Sequence, residues 1–200
     1  MTRLVPLALA APLAAALLLA GCAQTYVSPV SVTRFLGQQP ARLGQGPIAV
    51  RAAPGMANSL EFAPYWQAVS AELTRLGYQV VSDNAAAQVA EVRVERAVEQ
   101  PGRRHNPVSV GVGGATGSYG SGLGMGLGID LSGPPPAVAD TRMGVIIRDG
   151  AGGQPLWEGR AEFSASANSR YGNAQAAAAR MAAALFAGFP GRSGETVEVR

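Results

Sequence analysis

The residue types that carry most enzyme chemistry are scarce in this sequence, and their scarcity narrows what it can do. Among 200 residues there is one cysteine, Cys22, and one histidine, His105. All 16 basic residues are arginine, so lysine is absent. A lone cysteine excludes an intramolecular disulfide framework and any multi-cysteine zinc or iron–sulfur site. Without lysine there is no P-loop lysine, no Schiff-base enzyme and no Ser-x-x-Lys acyltransferase. His105 lies in Gly102-Arg103-Arg104-His105-Asn106-Pro107, and no serine occupies a Gly-x-Ser-x-Gly elbow to which it could act as base. Gly-x-Gly steps occur, but Gly-x-Gly-x-x-Gly does not, so the dinucleotide fingerprint is missing. The carboxylates are scattered singly, and nothing nominates an acid–base pair. The expectation is no catalytic residue, no metal site, no cofactor, no small-molecule substrate, and a protein that is not an enzyme.

Cys22 remains, and its surroundings point to covalent modification. Arg3 precedes Leu4 to Ala20, an uncharged run of 17 residues rich in Ala and Leu. That run is shorter than the ~20 residues of a typical membrane-spanning helix. It ends in Leu19-Ala20-Gly21-Cys22, and small residues before a cut are what a signal peptidase requires. The pattern resembles the lipobox of bacterial lipoproteins. That resemblance implies cleavage between Gly21 and Cys22 and a diacylglycerol on the Cys22 sulfur. Ala23, where an aspartate would retain the protein at the inner membrane, resembles an outer-membrane address. Acylation with two or three chains anchors stably, whereas one chain holds only marginally.

Charge argues against nucleic acid as a partner. Without Arg3, 15 arginines stand against 13 acids, a net charge of +2. That is a small excess and not a basic face, and export would separate the protein from nucleic acid.

The elements that follow are legible from periodicity. Residues 22–46 read as a lipidated start and tether, with Val27, Val30, Val32 and Phe35 as a partly ordered lead-in. Pro47-Ile48-Ala49-Val50-Arg51 reads as a buried strand. Ser59, Pro64 and Gly77 bracket a helix whose apolar face is Phe62, Tyr65, Val69, Leu73 and Leu76. Tyr78 to Val81 is a second strand, so strand, helix and strand predict a parallel crossover. Ala90 to Glu99 alternates as a half-solvated strand, with Arg96 on the apolar parity near an end where it could reach water or an acid. Met143, Val145 and Ile147, a turn at 149–153, and Leu156 to Phe163 predict a hairpin. Asn173 to Ala187 is an Ala-rich helix ended by Gly188 and Pro190, and 192–200 reads as a polar tail. The fold class is α+β: two helices on one face of a mixed, mostly antiparallel sheet, within a single domain over 47–191.

A Gly-rich insertion, 106–136, interrupts this pattern. Residues 106–129 carry no charge, and ten of the 26 glycines lie between Gly111 and Gly133. Val108, Val110 and Val112 alternate with small residues before Tyr119-Gly120, and Leu123, Met125, Leu127 and Ile129 do so after it. With a two-residue turn at Tyr119-Gly120, Val112 would pair with Leu127, Val110 with Ile129 and Val108 with Leu131. Either a hairpin joins or covers the sheet, a Gly-rich loop stays mobile, or a hairpin inserts into a membrane or stacks with other copies. The seven apolar residues named are the candidate membrane or partner contacts. Trp66 and Trp157 read as core or rim anchors and not as a carbohydrate platform.

With the lipobox, Leu76-Gly77-Tyr78-Gln79-Val80-Val81, the Gly-rich middle, Leu156-Trp157-Glu158-Gly159-Arg160-Ala161 and Leu185-Phe186-Ala187-Gly188-Phe189-Pro190-Gly191, the chain resembles proteobacterial lipoproteins of the domain-of-unknown-function family 4136. The resemblance implies an exported, lipid-anchored α+β domain with no established activity and no catalytic residues. The expected function is a cell-envelope lipoprotein, lipid-anchored on the periplasmic face of the outer membrane, with a non-catalytic binding or assembly domain. Its partner would be an envelope protein or a second copy. The alternative is a subunit of an oligomeric membrane-associated assembly whose Gly-rich hairpins stack or insert, and a periplasmic hydrolase is a remote third.

Overall fold

Strands with alternating apolar and polar residues bury one face and wet the other, and such strands recur along this chain. The computed structural model describes residues 25–56, 60–100, 108–117, 120–129, 135–150 and 153–200. Its strands are β1 (Val30–Leu36), β2 (Pro47–Ala52), β3 (Gln79–Val80), β4 (Gln88–Glu99), β5 (Val108–Gly117), β6 (Gly120–Ile129), β7 (Val138–Asp149), β8 (Pro155–Ser166) and β9 (Thr196–Val199). Seven of them form one sheet in the order β3-β2-β4-β7-β8-β1-β9, and β5 and β6 form a separate two-stranded ribbon. β2 runs parallel to β3 and β4, and the other neighbours are antiparallel. The sheet is therefore mixed and mostly antiparallel, as its alternation predicts.

Two helices, α1 (Ala63–Arg75) and α2 (Ala174–Phe186), pack on one face of the sheet and against each other. Pro64 sits in the first turn of α1, where its missing N–H costs no helical bond. Gly77 follows the helix with φ of 100°, a left-handed stop that a side chain would oppose. Asn173 caps α2 by accepting from the Ala176 N–H at 2.8 Å. α2 buries Ala177, Ala178, Met181, Ala182, Leu185 and Phe186. Its alanines let the backbone come close, while Met181, Leu185 and Phe186 fill the space beside Trp157 and Tyr65. Each large side chain removed from water in this way contributes roughly 1.5–3 kcal/mol.

The structure corrects the expected boundaries at both ends. β1 comes from the stretch read as tether, and its Val30 and Val32 are fully buried. β9 comes from the stretch read as a polar tail, and it pairs with β1, Val30 opposite Val199 and Thr33 opposite Thr196. Its alternation, Thr196-Val197-Glu198-Val199, is too short to stand out without the partner strand. β4 departs from simple alternation as well: Val89 and Glu91 are buried along with Ala90 and Val92. Arg96 is half-buried near the end of β4 and donates to the Gly172 carbonyl at 2.6 Å.

The Gly-rich arms pair, two residues away from the expected register. Val108 lies opposite Ile129, Val110 opposite Leu127 and Val112 opposite Met125, and Gly117 opposite Gly120 closes the ladder. The connection thus falls at 118–119 and not at Tyr119-Gly120. A shift of two residues preserves the parity of each arm, whereas a shift of one would reverse it.

Candidate functional site

With both helices on one face, the opposite face of the sheet lacks a helical cover. Side chains there come from the alternate parity of β4, β7 and β8, and the register arranges them in rows. Glu91, Ile146 and Glu158 form one row; Arg93, Gly144 and Arg160 the next; Glu95, Arg142 and Glu162 the third. Charge therefore alternates along β4 and β8, and across the strands in the third row. Together these residues line a trough of about 500 Å³. Gly144 lines it without a side chain, and a methyl group added there would meet no atom within 4 Å.

Glu91 is the most constrained charge in the trough. It is 6% exposed, accepts from Arg51 at 2.8 Å on Oε1 and from Arg148 at 2.9 Å on Oε2. Burial pushes its carboxyl up, but the bonds from Arg51 and Arg148 outweigh that and hold it below the ordinary carboxylate value. A group so held stays ionised and is unsuited to giving a proton. Arg160 donates to Glu158 at 2.7 Å and lies 5.4 Å over the Phe35 ring. Arg142 and Glu162 stand 3.7 Å apart at the exposed end. Among the described residues, no serine, threonine, cysteine or histidine lines the trough. Its donors are arginine forks and its acceptors carboxylates, a set that recognises polar or charged groups.

The residues singled out from sequence fall in several places. Gly21, Cys22 and His105 lie outside the described residues. Val108, Val110, Val112, Leu123, Met125, Leu127 and Ile129 come together as paired positions of the β5–β6 ribbon, where Leu123 is opposite Gly114. Trp157 is 1% exposed and belongs to the core. Trp66 is a rim residue, 39% exposed, whose indole N–H donates to the Val50 carbonyl at 2.6 Å. Among the described residues no three His, Cys, Asp or Glu side chains gather to hold a metal ion. No described helix is long and apolar enough to cross a membrane.

Sequence reasoning missed the trough and the buried Arg34. The three rows become visible only when β4, β7 and β8 are laid side by side. The signal was the repeated alternation Glu-x-Arg-x-Glu, present in Glu91-Val92-Arg93-Val94-Glu95 and again in Glu158-Gly159-Arg160-Ala161-Glu162. Arg34 lies on the inward parity of β1, 6% exposed. It donates from Nε to Leu185 O at 3.0 Å and from Nη2 to Ala184 O and Ala187 O at 3.1 and 2.7 Å. A strand arginine thus satisfies the carbonyls left free at the end of α2. Burial lowers its pKa, against which Glu195 raises it.

A mixed seven-stranded sheet with two helices on one face and charge on the other defines an α+β domain. The family model described as "Domain of unknown function (DUF4136)" matches residues 46–191, and the chain belongs to that family. No curated protein matches the sequence. Among solved structures the chain is similar to a PDZ domain protein from Parabacteroides distasonis, at 14% identity and a TM-score of 0.48 over 87% of this chain. It spans 38% of the length of that protein. It is also similar to the PelC dodecamer from Paraburkholderia phytofirmans, at 13% identity and a TM-score of 0.46, covering 82% of this chain and 99% of that one. A point variant of the same dodecamer matches with a TM-score of 0.39 at 12% identity over the same shares. Family membership is compatible with a non-catalytic domain.

Proposed function

We propose that this chain is a non-catalytic binding or assembly module, held on the periplasmic face of the outer membrane by an acylated Cys22. The observation that carries this reading is the placement of the only cysteine directly after Leu19-Ala20-Gly21, at the end of an uncharged apolar run. The trough supports the non-catalytic half: Glu91 and Glu158 are paired with arginines, and Glu91 is held in the ionised form. Its partner is an envelope protein or a second copy that presents alternating charge to the rows of β4, β7 and β8.

The test is metabolic labelling with a fatty acid, followed by fractionation of cells that carry the native chain or Cys22→Ala. The native chain should take the label and sediment with membranes, and the variant should do neither. Label that persists in Cys22→Ala, or a native chain that is soluble and unlabelled, overturns the anchor.

One observation favours a second reading. The β5–β6 ladder runs ten residue pairs outside the main sheet, with the large apolar residues of both arms on one parity. In this reading the chain is a subunit of an oligomeric membrane-associated assembly whose ribbons stack or insert. Insertion needs neighbouring copies, because a lone open edge leaves backbone groups unpaired in lipid. Deleting residues 109–131 should then reduce the particle size in detergent, and an unchanged size refutes it.

A further inference from the structure

A second cavity differs from the sheet trough in the sign of its charge. It lies between α2 and the edge formed by β1 and β9, with a volume of about 570 Å³. Ala179 and Ala183 of α2 line one side, Arg170, Tyr171 and Arg180 another, and no acidic side chain lines it. The guanidinium of Arg180 lies 4.7 Å over the Tyr171 ring and 5.2 Å over Phe163, and that of Arg170 lies 4.4 Å over Tyr171. Among the described residues neither arginine has a carboxylate within salt-bridge distance. The buried Arg180 Nε–H likewise meets no acceptor among them. The tyrosine registers the same field: Arg180, and after it Arg170, hold its phenol below the ordinary value. Two cations gathered on one ring repel each other, and a shared anion removes that penalty.

The cavity also sits beside the start of the fold. Arg180 Nη2 donates to the Ser28 carbonyl at 3.4 Å. Tyr26 and Ser166 exchange two bonds, from Ser166 N to Tyr26 O and from Tyr26 N to Ser166 Oγ, both at 2.8 Å. Tyr26 lies four positions after Cys22, and a fully extended chain spans at most ~14 Å over that separation. A lipid on Cys22 would therefore hold this side of the domain close to the bilayer surface.

We propose that the cavity seats the phosphate headgroup of an anionic phospholipid from the membrane that carries the anchor. Arg170 and Arg180 grip the phosphate, Tyr171 lies at the interface depth that suits an aromatic with a polar tip, and Ala179 and Ala183 meet the first acyl methylenes. The proposal rests on the lipid-anchor reading for its membrane, though the site itself requires only the arginines.

Native mass spectrometry of the full chain extracted from membranes in mild detergent tests both and keeps them apart. The covalent mass on Cys22 reports the anchor. A non-covalent phospholipid adduct reports the cavity. The expected spectrum shows one retained phospholipid, with phosphatidylglycerol preferred to phosphatidylethanolamine. Retention should fall about fivefold for each arginine removed, in Arg170→Gln and further in Arg170→Gln with Arg180→Gln, and the Cys22 mass should not change. Arg170 is exposed, so the single variant keeps the test independent of folding. No phospholipid adduct, no preference for the anionic lipid, or an adduct that survives both substitutions overturns the proposal. Displacement by inorganic phosphate at the same concentration as the lipid also overturns it, because the site would then be one for a soluble anion. Loss of the Cys22 mass alone would overturn the anchor and leave the cavity standing.

Discussion

The indole of Trp157 occupies the place a side chain at Gly159 would take: a methyl group there would lie 2.3 Å from Trp157 Cη2 and 2.8 Å from Leu185 Cδ1. The two residues face the helices from the same side of β8. Phe186 stacks on the indole at 5.4 Å, Phe189 tilts against it at 5.2 Å, and its N–H donates to the Pro190 carbonyl at 2.9 Å. A missing side chain in the strand thus lets one aromatic tie β8 to the last turn of α2.

Gly159→Ala should therefore destabilise the domain by about 2 kcal/mol through overpacking. Gly144 is the internal control, because it lies in the same sheet with open space where its side chain would be. Gly144→Val should leave stability unchanged or raise it by a few tenths of a kcal/mol, since valine suits a strand better than glycine. Urea denaturation of the two variants checks this, and equal losses would contradict the account.

The bonds to Glu91 make stability depend on acid. Its folded carboxyl titrates below the ordinary value, so the contribution is complete above the unfolded pKa and disappears as pH falls through the folded one. Glu91→Gln should cost roughly 2 kcal/mol at neutral pH, less than a fully buried pair because Arg51 and Arg148 keep part of their hydration. The variant should also lose stability less steeply below the ordinary carboxylate range. Parallel slopes from thermal unfolding between neutral and acid pH would show that Glu91 is not the group responsible.

Replacing Arg34 with methionine keeps the bulk and removes three bonds to the end of α2. A cost of about 3 kcal/mol is expected from leaving those carbonyls buried without donors. Hydrogen exchange should quicken first at the amides of residues 184–187, where the final turn loosens. Uniform acceleration across the sheet would mean that Arg34 acts on the whole core.

Truncation after Gly194 removes β9 and leaves the outer edge of β1 unpaired. Exposed edges recruit other strands, so the shortened chain should self-associate on size-exclusion chromatography. A monomer of native stability would show that β9 is dispensable.

Much of the fold was legible because its periodic stretches are long. α1, β4, the β7–β8 hairpin and α2 each repeat their pattern for ten residues or more, and all four are present. β9 has four residues and β1 seven, and both drew on partners far away in sequence. Arg34 carries no signal in the sequence for the same reason: its acceptors lie about 150 residues further on. The trough needed three strands in register before its rows existed. The cysteine motif, by contrast, is read in four consecutive residues and needs no fold to be seen.

β1 lies between β8 and β9, with Ser31 opposite both Glu162 and Glu198. β1 ends at Leu36, whereas its neighbours begin only at Pro155 and Thr196. Contacts of such long sequence separation form slowly. The order of the strands makes the pairing of β1 the long-range step in closing the sheet.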